Sequence, residues 1–248
     1  MSEEHRQRVI RQKVSRLETA PRRPPAGPLR TGFPQLDEAL GLGGLPRGRI
    51  LELFGPSGSG KTTLALQIAA QVQQDGGTAA WIDAEHAFDP AYAAGLGVAL
   101  ERLPLAQPES AEQALGIARE LAASGAVDLV VVDSAAALVP RMELEMGLGN
   151  SGPGLQSRVL GSELRKLLRV VERSLAAVLF LNQVRSRPDE SDSTAGGPSL
   201  KLCAAIRIAL EPAPDSQIAF RILKNKVAEA FSKGVLRRAE RAGFAKRA

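Results

Sequence analysis

The segment from Leu51 to Thr63 reads LELFGPSGSGKTT, an apolar run followed by a glycine-rich loop and a helix-favouring stretch. The loop matches the pattern G-x-x-x-x-G-K-[ST], in which backbone N–H groups and a helix N-terminus cradle phosphates. This pattern needs a buried strand before the loop and a helix after it, so it constrains the chain to an α/β fold. The predicted nucleotide-binding positions are Gly55, Pro56, Ser57, Gly58, Ser59, Gly60, Lys61, Thr62 and Thr63.

Two side chains of this loop carry specific expectations. Lys61 would reach the terminal phosphates, and the hydroxyl of Thr62 would hold Mg²⁺. The expected cofactors are therefore ATP and Mg²⁺. A glycine-rich turn that matches the pattern by chance is the alternative.

The rest of the chain alternates apolar runs with helical patterns, which is typical of parallel βαβ units. The predicted strands are 50–54, 79–83, 129–133, 178–182, 204–210 and 218–223, and the predicted helices are 62–74, 110–124 and 156–174. The expected fold class is α/β, with a mostly parallel twisted sheet flanked by helices. An amphipathic pattern over 3–18 adds a short N-terminal helix.

With 248 residues and 44% hydrophobic content, the chain can bury one sizeable core. We expect a basic N-terminal helix and proline-rich linker over 1–30, a core over 31–231, and a basic tail with a helical pattern over 232–248. No apolar run approaches the ~18 residues of a membrane span, and the N-terminus shows no apolar signal core. A cytoplasmic location without a membrane partner follows. The single cysteine, Cys203, excludes an intramolecular disulfide and is predicted to be a core residue.

The net charge of +5 is unevenly distributed. Residues 1–30 carry eight Lys and Arg against three acids, and residues 221–248 carry nine against two. The middle, 31–220, has 15 basic and 22 acidic residues, a net charge of −7. Basic ends on an acidic body indicate an anionic partner, either nucleic acid or the acidic face of a protein, although simply solvated tails explain each end equally well.

Three polar residues follow predicted strands at the edge where ligands of a parallel sheet bind. Asp133 ends the run LVVVD and would hold Mg²⁺ directly or through water. Glu85 follows AWID and could orient an attacking water, and Gln183 follows VLFLN and could sense the terminal phosphate. A strand-end cap is the alternative for Asp133.

The chain resembles RecA, the ATP-dependent strand-exchange recombinase, over roughly residues 31–231. The matching segments are 31–50, 55–63, 81–98, 124–140, 180–185, 194–201 and 224–226. This resemblance implies a RecA-type phosphate-loop ATPase core, with Glu85 as catalytic carboxylate, Asp133 as the magnesium-side acid and Gln183 as a switch. It also implies that Asp89 and Tyr92 cradle the adenine.

The resemblance further assigns basic residues to subunit and DNA contacts. Lys201, Lys224 and Lys226 match lysines that reach the ATP of a neighbouring subunit in RecA filaments, and we therefore count Lys224 and Lys226 as catalytic. The positions implied to face single-stranded DNA are Arg158, Arg165 and Arg185, and we count Arg187 of the same loop as a further DNA-binding residue.

The chain departs from RecA in three places. The loop 184–197 is shorter and carries Asp189, Glu190 and Asp192 where RecA has apolar groups, which predicts weak DNA binding or a simply disordered loop. Leu202 replaces an aromatic residue that couples subunits. The chain also ends about where the separate C-terminal domain of RecA begins.

These departures favour a RecA-like accessory protein similar to ImuA, which acts with an error-prone polymerase in translesion synthesis during the SOS response to DNA damage. Its expected partners are RecA, an ImuB-like polymerase homologue and, weakly, single-stranded DNA at the nucleoid. The protein would modulate or inhibit RecA filaments by capping an end. The alternative is a minimal DNA-stimulated recombinase that forms its own filaments on single-stranded DNA.

Overall fold

An eight-stranded sheet organises the computed structural model, which describes residues 27–146, 154–184, 194–239 and 242–246. The strands are β1 (Ile50–Gly55), β2 (Ala79–Asp83), β3 (Leu105–Ala106), β4 (Leu129–Asp133), β5 (Ala177–Gln183), β6 (Ile206–Ala213), β7 (Gln217–Asn225) and β8 (Lys233–Arg237). The helices are α1 (Pro34–Ala39), α2 (Lys61–Gln74), α3 (Pro90–Gly95), α4 (Ala111–Ala123), α5 (Arg141–Met146), α6 (Leu155–Ser174) and α7 (Pro198–Cys203), with 3₁₀ turns at Leu100–Arg102 and Ala135–Ala137.

The strands lie in the order β3-β2-β4-β5-β1-β6-β7-β8. Pairing is parallel from β3 to β6 and antiparallel from β6 to β8. The register places Gly55 beside Gln183 and Asp83 beside Asp133. The carboxyl ends of four parallel strands therefore meet at one edge, as the sequence predicts.

Two hydrophobic clusters cover the two faces of the sheet, which makes three layers. Leu51 and Leu53 of β1 pack with α1 and α2 on one face, whereas Ile50 belongs to the cluster beneath α4 and α6. Since both faces are covered, the parallel strands are apolar along their whole length rather than alternating. None of the described helices is long and apolar enough to cross a membrane.

One buried ion pair interrupts this apolar sheet. Arg207 of β6 donates to Glu52 of β1 at 2.5 Å, and their side chains are 2% and 0% exposed. Asn182 of β5 donates to the other carboxylate oxygen of Glu52 at 2.8 Å, and Arg207 stacks over Phe54 at 4.4 Å. The pair joins the three central strands directly below the ligand edge.

The six predicted strands and three predicted helices are confirmed to within three residues at their ends. The predicted helical tail over 232–248 is wrong in its first part, because Lys233–Arg237 pairs with β7 as a strand. Cys203, predicted to be a core residue, ends α7, where it is half-buried and packs against the cluster beneath α4 and α6. The predicted N-terminal helix over 3–18 lies outside the described residues.

Candidate nucleotide site

The loop between β1 and α2 adopts a conformation that its glycines permit. Gly58 and Gly60 have φ angles of 74° and 81°, where other residues are strained. Gly55 lies so close to β6 that a Cβ atom there would be 2.2 Å from the carbonyl oxygen of Leu210. Glycine at these positions lets the loop turn tightly over the sheet, so that its backbone N–H groups lie beside the N-terminus of α2.

A cavity of about 460 Å³ opens directly above this loop. Predicted residues from five separate elements line it, including Lys61, Thr62, Glu85, Tyr92, Asp133 and Gln183. Ser57, Gly58, Gly60 and Thr63 also line it, whereas Gly55, Pro56 and Ser59 do not. The fold therefore brings residues that span more than half of the chain to one site.

Lys61 lies at the start of α2 and is partly buried. Its Nζ donates to the carbonyl oxygens of Gly55 and Pro56 at 3.1 and 2.8 Å. Burial lowers the pKa of Lys61, while the nearby carboxylates of Asp133 and Glu85 act in the opposite direction. The ammonium group is thus held in the loop that would surround a phosphate.

Asp133 and Thr62 form the polar pair expected to bind Mg²⁺. The hydroxyl of Thr62 donates to Asp133 Oδ2 at 3.1 Å. Burial, reinforced by the neighbouring Glu85, raises the pKa of Asp133 to about 7. A partly buried carboxylate beside a hydroxyl offers the oxygen ligands that Mg²⁺ prefers. A bound cation would compensate the negative charge that burial disfavours.

This donor set fits magnesium better than a metal held by protein alone. The described ranges contain no group of three or more His, Cys, Asp and Glu side chains that could hold a metal ion. Mg²⁺ in nucleotide sites usually has one or two protein ligands together with water and substrate phosphates.

Glu85 lies just beyond β2, at the exposed mouth of the cavity. Its carboxylate accepts a hydrogen bond from the hydroxyl of Ser134, the residue after Asp133. The backbone N–H of Glu85 donates to the carbonyl oxygen of Asp133 at 3.2 Å. These contacts hold Glu85, the candidate general base, against the end of β4, which carries Asp133.

Asp83, which the sequence did not single out, stabilises the loop that follows β2 and carries Glu85. It is 2% exposed, and its carboxylate accepts the N–H groups of Ala87 and Phe88 at 3.1 and 3.0 Å. Gln107 donates to the same carboxylate at 3.0 Å. An aspartate that ends an apolar strand two residues before Glu85 was the available signal.

Gln183 is exposed at the end of β5, beside the first residue of the phosphate loop. The residue before it, Asn182, is buried and donates to Glu52 and to the carbonyl oxygen of Ala195, at 2.8 and 3.1 Å. Ala195 is the second residue after the segment 185–193, which falls outside the described chain. Gln183 thus lies between the cavity and the loop that follows β5.

Tyr92 and Asp89 lie at the start of α3 but have different positions relative to the cavity. The hydroxyl of Tyr92 lies 2.8 Å from that of Thr63, and its ring lines the cavity. Asp89 caps α3 by accepting the N–H of Tyr92 at 3.0 Å and does not line the cavity. The adenine contact implied for both residues stays a prediction.

The C-terminal segment supplies a wall of the cavity that the sequence analysis did not foresee. The residues concerned are Arg238, Ala239, Ala242, Gly243 and Phe244. The backbone N–H and carbonyl of Phe244 exchange hydrogen bonds with the side chain of Gln67 in α2, at 2.8 and 2.9 Å. The Phe244 ring is 4% exposed and packs on Gly60, where an added Cβ would lie 2.5 Å from the ring. In the sequence, the only indication of this contact is that the basic tail contains a single phenylalanine.

The basic residues assigned to subunit and DNA contacts lie outside the cavity wall. Lys224 donates to the carbonyl oxygens of Lys201 and Leu202 at 2.6 and 3.2 Å, and Lys226 is exposed nearby. Burial lowers the pKa of Lys224, and the adjacent Lys226 lowers it further. Leu202 is 68% exposed. The structure therefore does not bring these lysines to the nucleotide site of their own chain.

Two of the four predicted DNA-facing arginines are described. Arg158 and Arg165 are exposed on α6. Arg185 and Arg187 lie outside the described residues, as do Asp189, Glu190 and Asp192 of the same loop.

Residues 26–237 match the family described as the RecA N-terminal domain. The chain belongs to the RecA family. The family predicted from the motifs is thereby confirmed, and its α/β fold agrees with the three-layer architecture above. The RecA family uses ATP and Mg²⁺, in agreement with the donor groups around this cavity. The ImuA-like character stays a prediction.

The similarity to RecA proteins is high but partial. The RecA protein of Rhodospirillum rubrum is 48% identical over 214 residues, which cover 81% of this chain and 58% of that protein. The RecA protein of Caldanaerobacter subterraneus is also 48% identical over 214 residues, which cover 81% of this chain and 63% of that protein. The chain thus spans about three fifths of the length of these relatives.

A solved structure extends the likeness to the RadB recombinase. Its crystal structure is 25% identical to this chain with a TM-score of 0.69, and the match covers 86% of this chain and 97% of the RadB chain.

Proposed function

We propose that this protein is an ATP-dependent, DNA-stimulated ATPase of the recombinase type that acts in DNA repair. One observation carries the proposal: phosphate-loop, carboxylate and amide side chains from different strands converge on a single cavity of about 460 Å³. Its high identity to RecA proteins supports a recombinase role. We place its activity in the cytoplasm, at the nucleoid.

The proposed chemistry assigns a role to each group. Lys61 and the loop backbone bind the phosphates, and Thr62 and Asp133 hold Mg²⁺, which when bound neutralises charge on the transferred phosphoryl group. Glu85 orients the attacking water and accepts its proton, and the hydrogen bond from Ser134 fixes its carboxylate. Gln183 senses the terminal phosphate and transmits its presence to the loop after β5.

Full turnover in this scheme requires a second subunit. Lys224 and Lys226 lie away from their own cavity, and the depressed pKa of Lys224 reflects burial and adjacent positive charge. An anionic phosphate of a neighbouring subunit would relieve that repulsion. We therefore expect single-stranded DNA to stimulate hydrolysis by aligning copies of the chain, each completing the site of the next.

A second candidate is an ImuA-like accessory role in translesion synthesis, with RecA and an ImuB-like polymerase homologue as partners. The charge of the loop after β5 favours it, because Asp189, Glu190 and Asp192 would repel a phosphate backbone. An exposed Leu202 beside Lys201 also offers a subunit contact different from an aromatic one. In this role the protein would cap and restrain RecA filaments.

ATP turnover with and without single-stranded DNA tests the first proposal. The wild type should hydrolyse ATP faster with DNA, and Glu85→Gln should lower kcat about 10²- to 10⁴-fold while retaining nucleotide binding. Glu101→Gln is the matched control, because Glu101 is an exposed carboxylate away from the cavity. A Glu85→Gln variant that turns over like the wild type would remove Glu85 from the mechanism.

The same assay separates the two candidate roles when RecA is added. Substoichiometric loss of RecA turnover, with no turnover by this protein alone, supports the accessory role. DNA-stimulated turnover by this protein, without an effect on RecA, supports the recombinase-type ATPase.

A further inference from the structure

Helix α6 combines a buried apolar side with an unusually basic exposed side. Leu160, Leu164, Leu167 and Val171 point into the core. Arg158, Arg165, Arg169 and Arg173 are all exposed, and we call these four the arginine stripe. With 3.6 residues per turn, the stripe occupies a sector of about 80° and extends about 22 Å along the helix.

The carboxylates of α6 do not neutralise this stripe. Glu163 lies off the stripe and pairs with Arg119 and Lys166 at 3.1 and 2.6 Å. Glu172, at the border, lies 4.0 Å from Arg49. Among the described residues, no carboxylate forms an ion pair with any of the four stripe arginines.

Such an arrangement disfavours the isolated helix. Arg165, Arg169 and Arg173 follow one another at i, i+4 spacing, where like charges destabilise a helix by about 0.2–0.5 kcal/mol per pair. Arg173 lies in the last turn, where the helix dipole stabilises a cation. This stabilisation is confined to that turn and does not extend to Arg165 and Arg169. The spacing of the stripe therefore points to an anion outside the chain.

We propose that the arginine stripe is a nucleic-acid surface that continues from the predicted DNA-facing end of α6, at Arg158 and Arg165, to Arg169 and Arg173. This inference deepens the proposed function and rests on it. The shape of the charge favours a phosphate backbone, because the cations form a line rather than a compact cluster around one group. Exposed guanidinium groups bind successive phosphates in bidentate fashion without reading base sequence.

The stripe also accounts for how DNA could bind despite the acids in the loop after β5. α6 contributes five Arg and Lys against two Glu. A strand held along α6 would gain cation contacts that offset the repulsion expected from the charges of Asp189, Glu190 and Asp192. Binding should consequently depend strongly on salt, since each contacted phosphate releases counterions.

Salt-dependent binding of a labelled oligothymidine, followed by fluorescence anisotropy, tests the stripe. Arg169→Gln/Arg173→Gln should weaken binding and make the slope of log affinity against log salt shallower by about 1.4, at roughly 0.7 for each phosphate contact of a single strand. This change corresponds to an affinity about 25-fold lower near 0.1 M salt that converges on the wild type near 1 M salt. A duplex of equal length, measured in parallel, distinguishes single-stranded from double-stranded partners.

The charge-matched control is Lys233→Gln/Arg237→Gln, two exposed cations on edge strand β8. It should leave the slope unchanged. Equal losses of DNA affinity in both double variants would show that net charge alone causes the effect, and would refute the proposed role of the stripe. Unaltered DNA binding by Arg169→Gln/Arg173→Gln would also overturn it, and loss of RecA binding alone would identify an acidic protein surface instead.

Failure of the stripe and failure of the proposed function give different results. If the wild type binds DNA and Arg169→Gln/Arg173→Gln binds it with the same affinity, only the role of the stripe is refuted. A wild type that binds a fluorescent ATP analogue but no DNA at low salt refutes both the stripe and DNA stimulation. Circular dichroism and thermal unfolding of each variant establish that α6 is intact, because exposed substitutions alter stability by about 0.5 kcal/mol or less.

Discussion

The carboxyl group of Asp133 should make the ligand-free protein less stable as the pH rises. Its pKa is about 7 in the folded chain, whereas an unfolded aspartate has a pKa near 3.9. The folded state therefore binds more protons than the unfolded state between these values, so the free energy of unfolding falls as the pH rises from about 4 to about 7. The full effect of this one group is about 4 kcal/mol above pH 7.

Replacing Asp133 with asparagine removes this effect while preserving the side-chain shape and an oxygen acceptor for Thr62. Linkage predicts that ligand-free Asp133→Asn is more stable than the wild type by about 1.5 kcal/mol at pH 5 and about 4 kcal/mol at pH 8. The measurement is urea unfolding at both pH values without nucleotide or metal. Asp215→Asn, in the exposed turn between β6 and β7, is the matched control and should change stability little at either pH.

Magnesium and nucleotide should reverse the order of stability. A ligand at 100 times its Kd stabilises the folded state by about 2.7 kcal/mol, and Asp133→Asn should lose the Mg²⁺-dependent part of that gain. The reasoning would be refuted by an Asp133→Asn protein no more stable than the wild type at pH 8, or by a stability difference that does not change with pH.

Two further predictions concern packing around the site. Glu52→Gln leaves the buried guanidinium of Arg207 without its carboxylate and should lower the free energy of unfolding by about 3–5 kcal/mol in urea. The control Glu211→Gln breaks an exposed pair and should cost at most about 1 kcal/mol, so equal losses would contradict the burial argument. Phe244→Ala should weaken nucleotide binding and increase hydrogen exchange of residues 242–246, because it removes a ring of the size that costs about 3–5 kcal/mol in a core. Unchanged exchange there would show that the Phe244 ring does not hold the segment.

The sequence predicted those parts of the molecule whose signals are local. The apolar run before Gly55, the glycine spacing and the lysine that opens α2 lie within a dozen residues, so β1, the phosphate loop and α2 could be read directly. The doubly covered strands appear as continuous apolar runs, which made β2, β4 and β5 recognisable. Asp133 and Glu85 followed from their places immediately after such runs.

Strand β8 and the wall around Phe244 could not be read in this way, because their stability comes from distant partners. Residues 233–237 carry two cations and only two large apolar side chains, and they form a strand because β7 supplies the hydrogen bonds. Phe244 is buried because Gln67, far away in the chain, satisfies its backbone groups and Gly60 leaves room for its ring. The sequence by itself therefore determined the phosphate loop and the strand-end carboxylates, whereas tertiary packing alone decided which remote segment closes over them.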